Sequence, residues 1–129
     1  MKFLLDTHVL LWLAGDFEKL SNRVQSEILD DQNDLLLSLV SIWEVQIKSQ
    51  IGKINLSQSL QDLVQQQIEI NQIQILPIKL EHVFGLNNLP LHHRDPFDRL
   101  LIAQSHFEEV PILSIDVAFD AYGVQRIWA

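Results

Sequence analysis

The sequence predicts a three-layer α/β/α domain, in which a mostly parallel central sheet is flanked by helices. Short apolar runs alternate along the chain with segments of helical periodicity, the order that produces β–α–β units. The run LLLSLV is apolar at five of its six positions, as in strands covered on both faces. Because no linker, repeat or low-complexity stretch interrupts this order, we expect one domain over residues 1–129.

The first half of the chain contains two predicted strands and three predicted helices. In order, they are a strand at 2–6, a helix at 7–15, a helix from Ser21 to about Asp31, a strand at 35–40 and a helix from Ser41 to Gly52. Ser21 is a suitable N-cap residue, because its hydroxyl can accept from a backbone N–H of the first turn. Gly52 stands where a C-terminal cap belongs.

The second half continues the alternation. In order, the predicted elements are a helix from Ser57, a strand at 73–76, a short helix at 80–88, a helix at 96–109, a strand at 111–116 and a strand at 124–128. A sheet edge is one candidate place for the last strand. Asp95 precedes Pro96, which predicts an aspartate N-cap followed by proline at the first helical position. Asp98 then lies in the first turn, where an acid suits the helix dipole.

Composition restricts the class of protein. The formal net charge of −8 argues against a general nucleic-acid binder. Without cysteine, any metal must be bound by carboxylate, imidazole or water, which favours Mg²⁺ or Mn²⁺. No apolar run approaches the ~20 residues of a membrane span. Asp6 and His8 interrupt the first apolar stretch, which argues against a signal peptide. We therefore expect a cytoplasmic protein without membrane contact.

Four acids fall at related places in the predicted fold: Asp6 ends the first strand, Glu44 and Asp98 lie in the first turns of helices, and Asp116 ends the strand PILSI. Right-handed crossovers place the carboxyl ends of all the strands at one edge, where such sheets bind ligands. At an effective dielectric of about 20, two charges ~4 Å apart repel by ~4 kcal/mol. Raised pKa values, helix dipoles or bound cations must compensate for this repulsion between the acids.

Each acid also has a structural explanation. Asp6 can cap the helix that follows it, and Asp116 can be an ordinary turn aspartate. Glu44 stands three residues after Ser41, the spacing of a capping box. These explanations do not account for four acids at one edge among apolar strands and helices. Lys48, downstream of Glu44, is interpreted as part of a solvated face, with guidance of a substrate as the alternative.

Four segments together resemble the PIN-domain family, and within it the VapC-type toxins of bacterial toxin–antitoxin pairs. They are FLLDTHVLLWLAG, LSLVSIWEVQIKSQIGKI, LPLHHRDPFDRLLIAQS and PILSIDVAFDAYGV. With the ILPI stretch, they cover essentially the whole chain in the family's order. The segment HRDPFDRLLIAQ is the most specific of them.

The resemblance implies a metal-dependent ribonuclease that hydrolyses phosphodiester bonds. It assigns the family's four acids to Asp6, Glu44, Asp98 and Asp116. Asp6 and Asp98 resemble the primary magnesium ligands of the family. Asp116 resembles a further ligand that binds directly or through water, and Glu44 resembles a residue that orients metal or water. Divalent ions in such sites activate water for in-line attack and offset charge on the phosphate oxygens.

The resemblance implies further residues and partners. Thr7 and Ser114 stand beside the acids and are expected to hydrogen-bond them; many relatives have threonine at the position of Ser114. An antitoxin with a basic segment and a homodimer are implied as partners. The apolar first helix is a candidate dimer interface, although core burial explains it nearly as well. The roles of His8, His93 and Arg99 stay open.

Two other functions remain open. A phosphatase-like or receiver-like domain would use Asp6 as the phospho-accepting nucleophile. Haloacid-type phosphatases, however, have a second aspartate two residues later, and that position is His8 here. The other alternative is a non-catalytic binding module of the same fold, whose acids serve as helix caps.

Overall fold

The computed structural model describes residues 1–92 and 95–129; His93 and Arg94 lie outside the described residues. In chain order the elements are β1 (Lys2–Leu5), α1 (Thr7–Gly15), α2 (Asn22–Leu29), β2 (Asp34–Ser38), α3 (Leu39–Gln50), α4 (Leu60–Asn71), β3 (Gln74–Leu76), α5 (Leu80–Gly85), α6 (Pro96–Glu108), β4 (Ile112–Leu113) and β5 (Arg126–Ile127). Short 3-10 turns lie at Phe17–Lys19, Leu86–Asn88 and Val117–Tyr122. The predicted alternation of strands and helices is confirmed.

The five described strands form one sheet in the order β3-β2-β1-β4-β5, and each neighbouring pair is parallel. β1 is central: Leu4 pairs with Leu36 of β2, and Leu5 pairs with Leu113 of β4. β5 lies at an edge of the sheet. Because all pairs are parallel, the residues that follow β1, β2 and β4 lie at the same edge of the sheet.

Hydrophobic clusters cover both faces of the sheet. In β1, Phe3 and Leu5 pack into one cluster and Leu4 packs into the other, and all three side chains have no exposed surface. Alternation of side chains along the strand sends neighbours to opposite faces. Full burial of such a side chain contributes about 1.5–3 kcal/mol. The three-layer arrangement therefore follows from strands that are apolar on both faces.

The start of α3 differs from the prediction. Its N-cap is Ser38, whose hydroxyl accepts from the backbone N–H of Val40 at 3.0 Å. Ser38 also ends β2, so strand and helix join without a loop. The capping box between Ser41 and Glu44 is therefore wrong, and Glu44 lies in the second turn of α3. Similarly, α4 is capped by Ser59 rather than Ser57.

The N-cap of α6 agrees with the prediction. The carboxylate of Asp95 accepts from the backbone N–H groups of Phe97 at 2.9 Å and Asp98 at 3.3 Å. Pro96 occupies the first helical position, where its missing N–H costs nothing.

In the ranges described above, no helix combines the length and apolar character that crossing a membrane requires.

The first helix is partly in the core. Leu10 is completely buried, while Trp12 and Leu13 are half-buried and pack against the same cluster. The indole of Trp12 also lies 5.9 Å from that of Trp128. Core packing therefore accounts for the apolar side chain of Leu10, and a dimer interface on this helix stays a prediction.

Candidate active site

Asp6 lies at the carboxyl end of the central strand and is 3% exposed. One carboxylate oxygen accepts from the backbone N–H of Thr7, and the other accepts from the hydroxyl of Ser114, both at 2.7 Å. Burial raises the pKa of Asp6, and these two hydrogen bonds oppose that rise. Asp6 is thus both the cap of α1 and a buried carboxylate that donors from two segments hold in place.

Glu44 is similarly buried, with 4% of its surface exposed. Its Oε1 lies 2.7 Å from the hydroxyl of Thr7, and its Oε2 accepts from the ammonium of Lys48 at 2.5 Å. The Thr7 hydroxyl also lies 3.0 Å from that of Ser41. Since a hydroxyl donates one proton, the shorter contact with the charged acceptor takes it. Thr7 therefore connects two acids, donating its N–H to Asp6 and its O–H to Glu44.

Asp98, in the first turn of α6, has a strongly raised pKa. Burial is the largest cause, and repulsion from Asp95, Asp6, Glu44 and Asp116 adds to it, so that its pKa is raised to about 8. A carboxyl group responds to other charges in this way only when they lie nearby. Asp98 therefore lies within electrostatic reach of Asp95, Asp6, Glu44 and Asp116, and these five residues are called the acid cluster.

Asp116 connects the cluster to the last 3-10 turn. Its carboxylate accepts from the backbone N–H of Ala118 at 2.9 Å, and its own N–H donates to the hydroxyl of Ser114 at 3.0 Å. Ser114 thus accepts from Asp116 and donates to Asp6. The turn role expected for Asp116 is present, and the same side chain contributes to the field at Asp98.

The donor chemistry of the cluster fits Mg²⁺ or Mn²⁺. All candidate ligands are hard carboxylate oxygens, and burial of several negative groups without a counter-ion is unfavourable. In the part of the chain that the structure describes, no three His, Asp or Glu side chains are arranged to bind one ion together. The carboxylates that carry hydrogen bonds to protein donors must therefore reorient if they are to share an ion.

Lys48 is the residue that the sequence interpretation placed wrongly. Rather than lying on a solvated face, it pairs with buried Glu44 one turn earlier on α3. The i,i+4 spacing was the available signal, but it is common on exposed helices and weak by itself. Arg99 donates to the carbonyl of Pro90 at 2.9 Å and so contacts the segment before α6. His8 is exposed, with its ring 5.9 Å from that of Trp12.

A parallel α/β domain with acids after its strands is the arrangement that the sequence analysis expected for a PIN domain. The PIN domain family matches residues 3–125, and the chain belongs to this family. The resemblance stated from the sequence is thereby confirmed. No curated protein matches the chain.

Solved structures with the same fold come from toxin–antitoxin complexes. VapBC2 from Rickettsia felis, bound to a DNA fragment from its promoter, is similar with a TM-score of 0.75 and 15% identity, covering 100% of both chains. DNA-bound VapBC from Salmonella typhimurium has a TM-score of 0.71 and 10% identity, covering 98% of this chain and 97% of that one. VapBC-5 from Mycobacterium tuberculosis has a TM-score of 0.62 and 14% identity, covering 99% and 98%. At these identities the likeness shows the fold.

Proposed function

We propose that this protein is a metal-dependent endoribonuclease and the toxin of a toxin–antitoxin pair. The observation that carries the proposal is the position of Asp98 near four other acids; burial first, and repulsion from these acids second, raises its pKa to about 8. Such a cluster has an excess of negative charge that a divalent cation offsets. Membership of the PIN domain family supports the assignment of nuclease chemistry.

The acids have separate roles in this proposal. Asp6 and Asp98 are the primary ligands of Mg²⁺ or Mn²⁺, Asp116 is a further ligand, direct or through water, and Glu44 orients metal or water. When bound, the cation supplies Lewis-acid activation of water and offsets charge on the phosphate oxygens. Thr7 and Ser114 hold the carboxylates of Glu44 and Asp6 through hydrogen bonds of 2.7 Å.

A cognate antitoxin with a basic segment is the proposed protein partner. The net charge of −8 and the acid cluster favour a cationic inhibitor. An apolar rim beside the acids supports the same proposal. Trp43, which precedes Glu44, is 54% exposed and packs edge-to-face against Phe97, which precedes Asp98. The similar structures are VapBC complexes, and we extend their antitoxin partner to this chain. A homodimer, which the family resemblance implies, is also part of the proposal.

Cleavage of structured RNAs with Mg²⁺ and with EDTA tests the nuclease activity. Wild-type protein should cleave with Mg²⁺ and not with EDTA, and Asp98→Asn should abolish cleavage without unfolding the protein. Asp62→Asn is the matched control, because Asp62 occupies the same position in the first turn of α4 and is exposed. If Asp98→Asn cleaved RNA as fast as Asp62→Asn, Asp98 would have no place in the site. If wild type showed neither stabilisation by Mg²⁺ nor RNA cleavage, the binding-module alternative, whose acids serve only as helix caps, would be favoured.

A further inference from the structure

Lys48 places a positive charge inside the acid cluster. Its ammonium lies 2.5 Å from Oε2 of Glu44, and the two side chains are 32% and 6% exposed, respectively. Oε1 of Glu44 is bound by the hydroxyl of Thr7, so the carboxylate is fixed from both sides. The side chain of Lys48 is therefore mostly covered, and its ammonium is held beside Glu44.

Hydrogen bonds connect Lys48 to the acids of the proposed site. Its ammonium donates to Glu44, Glu44 accepts from the hydroxyl of Thr7, and Thr7 donates its N–H to Asp6. An ammonium has three N–H donors, and Glu44 is the acceptor identified for it among the described residues. Its remaining donors can bind oxygen atoms that enter beside Glu44.

Four other described cations form ion pairs with acids outside the proposed site, and one of them, Arg126, also donates to the carbonyl of Ser114 at 3.2 Å. The ion pairs are Lys19 with Asp16, Arg23 with Glu27, Lys79 with Glu108 and Arg126 with Asp120. Arg99 contacts backbone carbonyls of the segment before α6. Within residues 1–92 and 95–129, Lys48 is thus the cation with a hydrogen bond to one of the four proposed site acids.

We propose that Lys48 binds a phosphate oxygen of the RNA next to the bond that is cleaved. This inference rests on the proposed ribonuclease function and adds a substrate-binding residue to it. A protein with a net charge of −8 has no generally basic surface to attract RNA. A lysine already ordered by a buried carboxylate loses less conformational freedom when it binds phosphate. Glu44 would therefore position Lys48, in addition to its proposed role beside the metal.

RNA binding as a function of salt tests this proposal. A labelled single-stranded RNA is titrated by fluorescence anisotropy in Ca²⁺, and a gel checks that the RNA stays intact. Lys48→Gln keeps an N–H donor for Glu44 but removes the charge. It should weaken RNA binding about tenfold at low salt and lower the slope of log Kd against log salt by ~0.7, the value for one phosphate contact on a single strand. Lys48→Arg should restore the slope.

The matched control is Lys19→Met, which also removes one positive charge and one ion pair, here with Asp16 at 3.7 Å. Lys19 follows the end of α1, a helix that starts at Thr7 beside the site and leads away from it. This variant should keep the wild-type slope. Thermal unfolding of each variant shows whether it is folded; if Lys48→Gln were unfolded, Lys48→Met compared with Lys48→Arg would decide.

The outcomes separate this inference from the proposed function. If wild type cleaves RNA and folded Lys48→Gln has the wild-type affinity and slope, Lys48 is a structural partner of Glu44 and the inference is wrong. If Lys19→Met lowers the slope equally, the effect is one of net charge and the inference is wrong. If wild type neither binds nor cleaves any RNA, the proposed function fails as well.

Discussion

The raised pKa of Asp98 predicts that Asp98→Asn stabilises the protein in EDTA at alkaline pH. Asp98 ionises near 3.8 in the unfolded chain and near 8 in the folded protein. A raised pKa means that the folded state retains its proton longer. The stability associated with that proton is complete below about pH 4 and is lost as the pH rises through 8. Asparagine cannot ionise, so the variant escapes this loss.

The expected size follows from the same shift. The rise of the Asp98 pKa from 3.8 to about 8, at 1.36 kcal/mol per pKa unit, gives a ceiling of ~6 kcal/mol. Asp98 is only partly buried, and solvent and salt screen its repulsion, so we expect ~2 kcal/mol at pH 8. The loss of an acid from the first turn subtracts ~0.5 kcal/mol. For a chain of 129 residues, the net gain corresponds to an increase in Tm of about 5 °C.

Thermal and urea unfolding in EDTA from pH 5 to 8.5 measures this effect. The difference in unfolding free energy between Asp98→Asn and wild type should grow with pH and level off above 8. Asp62→Asn, at the equivalent exposed position of α4, should show no such growth. Parallel pH profiles for wild type and Asp98→Asn would refute the electrostatic description of the cluster.

Four further changes have defined consequences. Ser114→Ala removes the donor to buried Asp6 and should lower the unfolding free energy by about 1–3 kcal/mol in urea titrations, with slower RNA cleavage, whereas Ser114→Thr keeps the hydroxyl. Asp95→Ala removes the cap of α6 and should cost about 1 kcal/mol by the same measurement, with Asp95→Asn close to wild type. Gly123→Ala should cost about 1–2 kcal/mol, because φ is 71° while no atom obstructs a Cβ. Mg²⁺ at about a hundred times its Kd should raise the unfolding free energy of wild type by about 2.7 kcal/mol and leave that of Asp98→Asn unchanged.

The order of strands and helices was predictable because it depends on local patterns. The runs around Phe3 and Leu113 are apolar because their strands are covered on both faces, and that pattern is visible in one sequence. The Asp95–Pro96 cap is equally local. The placement of Asp6 and Asp116 after strands that are parallel neighbours follows once the sheet is parallel.

The surroundings of Glu44 were not predictable from local patterns. The apolar run LLLSLV contains both the end of β2 and the start of α3, and hydrophobicity alone cannot divide such a run. The ion pair of Lys48 was not predicted for a different reason. Its partner Glu44 is buried against Thr7, which lies 37 positions away in the sequence, and only tertiary packing determines that burial.

An anomalous difference map from crystals soaked in Mn²⁺ shows whether acids from separate segments share one divalent cation at the carboxyl edge of the sheet. We predict a peak about 2.0–2.4 Å from carboxylate oxygens of both Asp6 and Asp98. A saturated crystal with no peak between these two residues, or with its Mn²⁺ bound elsewhere on the surface, would contradict the account.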